Sequence, residues 1–124
     1  MPIADRCWGY NQVGVLVDSI LSPNLFSSIP LICQAEREFG FKVDFVSSVE
    51  GKLVRIDHLN AIKQLSSFMS IDLLPSIGST MRVTIDCFTG CGSVSLTHKD
   101  KKQLMADVET IREYEKTMWI VEAL

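Results

Sequence analysis

The chain has 124 residues, 47% of them hydrophobic and 22% charged, which excludes a disordered tract and predicts one domain with a filled interior. A formal charge of −3 supplies no basic face, so nucleic acid is not an expected partner. No apolar run is long enough to span a bilayer, and the opening MPIADRCWGYNQ carries an acid and no apolar signal core. The expectation is therefore a cytoplasmic protein without membrane association.

Residues 1–12 read as an N-terminal extension. QVGVLVDSI follows, rich in valine, and predicts a strand from about Val13 to Ser19. SPN turns the chain. Ser27 or Ser28 then caps a helix with Pro30 in its first turn, a stripe of Ile32, Ala35 and Phe39, and a stop at Gly40. FKVDFVSSV alternates as a half-buried strand, and KLVRI returns beside it as the second arm of a hairpin turned at EGK. Asp57 caps a second helix with the stripe Leu59, Ile62, Leu65 and Met69.

SIDLLPSIGST reads as a breaker-rich connection, and MRVTIDC as a fourth strand. SVSL adds a short edge strand after a glycine turn. Thr97 with Asp100 opens the last helix, whose apolar face is Leu104, Met105, Val108, Ile111 and Tyr114, extended by Met118 and Trp119. Residues 118–124 form an apolar C-terminal extension that either folds over the core or offers an interface.

Four cysteines, Cys7, Cys33, Cys87 and Cys91, have irregular spacing and read as reduced thiols. The spacing of Cys87 and Cys91 is not that of a dithiol redox motif. A zinc site there would need His58 and His98 from separate segments, so neither metal nor cofactor is expected. The stretch from Ser22 poses the functional question, since free N–H groups at a helix start favour an anion at Ser27 and Ser28. The plainer reading makes those serines caps.

Strand, helix, strand, strand, helix, strand, helix describes an α+β fold, an antiparallel sheet with helices on one face. In that order, and in the placing of Pro23-Asn24, Pro30, Gly40-Phe41, Gly51-Lys52 and VRIDHLNAIKQL, the chain resembles the HPr-like phosphocarrier family of the bacterial sugar phosphotransferase system. The resemblance implies a single HPr-like domain over residues 1–124, an open-faced β-sandwich of order βαββαβα covered on one face by three helices. It also implies a carrier histidine and a nearby arginine, but those positions hold Ser27 and Ile29, and the position of the family's regulatory serine holds His58. A serine hydroxyl without a base is a weak nucleophile, and its phosphate ester a poor donor.

The family reading thus becomes a regulatory or adaptor protein acting by protein–protein contact in phosphotransferase-linked control, not a catalyst. Its partner surface would hold Ser27, Ser28, Ile29, Ile32, His58, Leu59 and Lys63. Ile32 and Leu59 serve equally well as core. Two alternatives stay open: an unconventional phosphocarrier using His58 or Ser27, and an unrelated oligomerising or ligand-sensing α+β module, such as a homodimer joined through MWIVEAL.

Overall fold

The computed structural model describes residues 2–32 and 37–123. In chain order its elements are α1 (Pro2–Trp8), α2 (Gln12–Leu21), α3 (Pro23–Ser27), β1 (Phe39–Asp44), β2 (Gly51–Ile56), α4 (Leu59–Lys63) and β3 (Phe68–Leu73). Then follow β4 (Thr80–Met81), a 3-10 turn (Cys87–Thr89), β5 (Gly92–His98), α5 (Lys101–Glu115) and β6 (Trp119–Glu122). The strands form two antiparallel sheets, β1-β5-β3 and β4-β2-β6. An α+β architecture is therefore correct, while the element order differs from βαββαβα.

The first sheet is covered on both faces. Val43 pairs with Val94 and Phe41 with Leu96, and Val43, Val94 and Leu96 enter the core beside Leu104, Val108 and Ile111 of α5. Gly40, paired with Thr97, points the other way. There α1 lies so close that a Cβ on Gly40 would collide with Ile3 and Cys7. Arg6 Nη1 donates to Thr97 Oγ1 at 3.1 Å, and Arg37 N–H donates to Cys7 O at 2.7 Å. The core then runs on into the second sheet through Leu53, Met81, Met118 and Trp119.

Several expected elements take other forms. The strand expected at Val13–Ser19 lies inside α2, because Asn11 caps a helical turn there by accepting from Gly14 N–H at 2.9 Å. Of the helix expected after Ser28, Phe39 and Gly40 belong to β1, Ile32 stands exposed outside any helix, and Ala35 falls outside the described residues. The expected hairpin of β1 with β2 is absent, since the two strands belong to different sheets. Met69 belongs to β3, and so does the first part of the expected connection, Ile71–Leu73.

Of the expected fourth strand MRVTIDC, Met81 alone lies in a strand, the two-residue β4. Asp86 and Thr89 close a capping box that turns the chain before Cys91. The segment read as an edge strand is the centre of its sheet, where β5 is flanked by β1 and β3. Asp100 caps α5 by accepting from Lys102 N–H at 2.9 Å, while Thr97 stays in β5. Met105 is exposed rather than part of the buried face. The apolar tail does fold back: Trp119–Glu122 pair with β2.

Gly92 opens β5 with φ +114, and a Cβ there would run into Asp72 O and the Leu73 backbone. Neither conformation nor space admits a side chain. Gly92→Ala should lower stability by about 2 kcal/mol or more, seen as a fall in the urea midpoint at unchanged slope.

Candidate protein-contact site

Ten residues of α2 contain no buried side chain. Val13, Leu16, Val17 and Ile20 nevertheless recur at one-face helical spacing, with Leu21 beside them. Leu16 is 62% and Ile20 70% exposed. The helix is fixed from its ends. Asn11 caps the start and also donates to Asp5 at 2.6 Å, and Ser22 N–H donates to Asp18 O at the finish. Pro23 then starts α3, which packs on α2. Leu25 and Phe26 of the adjoining α3 are exposed as well, as are Leu31 and Ile32 beyond it. This stripe escaped the sequence reading because four valines and leucines in a row of seven also suit a strand. The signal that would have found it is the spacing itself, preceded by Asn11.

Pro23 rather than Pro30 occupies the first helical turn, and that register moves the serines. Ser27 is the last residue of α3 and Ser28 its C-cap. Ser27 Oγ donates to Pro23 O at 2.9 Å and Ser28 Oγ to Leu25 O at 2.7 Å. Both hydroxyls lie at the carbonyl end of a short helix, where the backbone repels an anion. They do not form a helix N-terminal site.

The rest of the expected surface divides. Ile29 is half-buried and Ile32 78% exposed. Leu59 and Lys63 sit on α4, which contacts β3, and His58 stands just before it. The carboxylate of Asp57 is engaged by Arg55, whose guanidinium hydrogen bond holds it below the ordinary carboxylate range. Asp57 therefore does not cap α4, and His58 takes the N-cap at φ +68. Its Nε2 lies 2.9 Å from Thr117 Oγ1, and its ring stacks on Tyr114 with centroids 4.8 Å apart. These contacts tie the start of α4 to the end of α5. Leu59 packs against the core, and Lys63 is exposed at the end of α4.

Two thiols near the turn differ in setting. Cys87 is exposed. Cys91 is buried, and burial first of all pushes its thiol up, against a contact from Thr84 Oγ1. Among the described residues no group of three or more His, Cys, Asp and Glu is placed to hold a metal ion.

Asp107 anchors the wall between the sheet and α5. Its Oδ2 accepts from Ser67 N–H at 3.0 Å and Ser66 Oγ at 3.3 Å, and its Oδ1 from Gln103 Nε2 at 2.9 Å. Burial works against ionisation, but the donors from Ser67, Gln103 and Ser66 outweigh it and hold the carboxyl below the ordinary Asp range. Ser67 Oγ, fully buried, makes no hydrogen bond of its own among the described residues.

The chain is similar in fold to phosphoribosylglycinamide synthetase from Anaerococcus prevotii, with a TM-score of 0.66 at 11% sequence identity. The match covers 98% of this chain and 30% of that one, and at such identity it concerns the fold alone. No protein-family model and no curated protein matches the chain.

Asp107→Ala strands the buried Ser67 N–H and should cost about 1–3 kcal/mol at neutral pH. Because the folded pKa is lowered, the ionised carboxylate stabilises fully above the unfolded value of about 3.9, and this is lost as pH falls through the folded value. Wild type and Asp107→Ala should therefore converge in stability on acidification, as followed by urea unfolding at stepped pH.

Proposed function

We propose that this chain works as a protein-contact domain, an adaptor or regulatory piece whose α2 stripe seats in an apolar groove of a partner protein. The observation that carries the reading is α2 itself: five apolar residues at one-face spacing on a capped helix with nothing buried. Amphipathic helices dock in this way, their anchors at i, i+3, i+4 and i+7 filling a groove. A contiguous exposed apolar patch is costly to solubility and marks an interaction surface. Ties to phosphotransferase-system control, and phosphate carriage by Ser27 or His58, rest on the sequence resemblance alone.

A second reading has one observation in its favour. The same fold makes up 30% of a larger synthetase, so a domain of this shape also serves as one part of a bigger catalytic body. In that setting the α2 stripe would be covered by the remainder of an enzyme, and the partner would be a synthetase fragment instead of a regulator's target.

Leu16→Asp with Ile20→Asp tests the contact reading. Since α2 buries nothing, thermal stability should stay within about 0.5 kcal/mol of wild type. Proteins crosslinked to the wild-type chain in its native extract should be lost from the double variant. Unchanged crosslinking, or a large loss of stability showing that the stripe is internal support, would end the proposal. A crosslinked partner with ligase activity would select the second reading.

A further inference from the structure

A surface separate from α2 identifies one occupant more closely. Among the described residues, the order β1-β5-β3 leaves one flank of β1 with no strand beside it. Phe45 N–H donates to Gly92 O, and across β5 Thr97 N–H donates to Ser67 O. Antiparallel alternation then turns the backbone groups of Phe39, Phe41 and Val43 toward β5, and those of Gly40 and Lys42 outward. A cleft of about 720 Å³ follows this flank, walled by Ile3 and Trp8 of α1 on one side and Leu104 and Met105 of α5 on the other. Open edges of this kind are templates for another strand. β1 carries no proline, and its pairing with β5 runs without a bulge.

We propose that the flank of β1 pairs antiparallel with β1 of a second copy, in a two-fold register centred on Gly40. That register sets Gly40 against Gly40, so that outward N–H and C=O groups complete each other. With β1 extended by one residue to Glu38, a bend in the monomer, it also sets Glu38 of each copy against Lys42 of the other, and Phe39 against Phe41 on the face toward α5. Centring on Phe41 would instead oppose Glu38 to Asp44, and centring on Lys42 would oppose two lysines. Like charges directly opposite one another are unfavourable in a sheet, while opposite charges and aromatic pairs are favourable. Charge therefore selects one register out of three.

The monomer leaves these groups available. Glu38 makes no ion pair among the described residues. Among the described residues Lys42 ion-pairs with Asp44 alone, at 3.6 Å and with both side chains largely exposed, a pairing too weak to compete. Phe41 is 39% exposed and would be covered by the second strand. A side chain at Gly40 would push α1 off the sheet at the centre of this arrangement.

The test is a charge exchange read by light scattering across a concentration series, with circular dichroism to verify folding. Wild type should double in mass with concentration. Glu38→Lys and Lys42→Glu alone should each weaken dimerisation at least about tenfold by turning both cross-strand pairs repulsive. The combined Glu38→Lys, Lys42→Glu chain should return to near wild-type affinity.

A wild type that stays monomeric overturns the proposal, and would leave the flank to an extended segment of some other protein. Single variants that dimerise like wild type, or a combined variant that fails to recover, overturn it as well. Leu16→Asp with Ile20→Asp should leave this dimer intact, so failure at α2 and failure at β1 are distinguished.

Discussion

The chain leaves one sheet for the other at Val46, and a buried carboxylate makes that departure tolerable. Phe45 N–H still reaches Gly92 O, but the next amide has no strand to join. Glu115 of α5 accepts it at 3.0 Å. Arg112 holds Glu115 through both oxygens and also donates to Asp44 O. Trp119 Nε1 donates to Val46 O at 3.0 Å, and Ser47 N–H to Thr84 Oγ1 at 2.9 Å. Leaving the buried members, Glu115 and Ser47, without their partners would cost about 1–3 kcal/mol for each group stranded. The cluster thus fixes where β1 ends, which in turn lets β2 pair with β6 instead of β1.

Asp107 performs the same service two turns earlier on α5, taking Ser67 N–H where β3 begins. One helix therefore specifies both lateral neighbours of β5 through polar groups while its apolar side fills the core. Buried ionised groups seldom add net stability relative to a well-packed apolar alternative. Their effect here is positional. With both strand ends located by α5, the opposite face of the sheet is left for α1, whose close approach requires the bare Cα of Gly40. The flank of β1 then lies between two helices and ends up as an apolar channel.

How much of this was legible depends on whether the decisive signal was local. The α5 helix could be read because Leu104, Val108 and Ile111 state a stripe within one window, and the structure buries that stripe, although the cap is Asp100 alone and not a box opened by Thr97. β1 and β2 were legible as strands from their alternation. Their pairing was not, because it is decided by Glu115 and Trp119, some seventy residues away. The tail MWIVEAL was legible as apolar, with folding back already among its readings. At Val13–Ile20 valine content and helical spacing pointed in opposite directions, and the cap at Asn11 decided for helix over β propensity. The serine site failed for a register reason: two prolines suit a helical first turn, and the chain uses the earlier one.

The α2 stripe raises a question of energetics as well as of recognition. A helix of ten residues is marginal by itself in water, since nucleation is unfavourable and propagation adds little per residue. Most helices of this length draw their stability from burying an apolar face, and α2 buries none. What supports it is the Asn11 cap, worth on the order of 1 kcal/mol, the Ser22 N–H bond to Asp18 O at its end, and the packing of α3. Each apolar side chain of the stripe, by contrast, would contribute about 1.5–3 kcal/mol if fully covered. Several such side chains outweigh the cap, so a partner that covers the stripe also stabilises the helix that presents it. Contact and helix formation are then linked, and the free energy of one is read in the other.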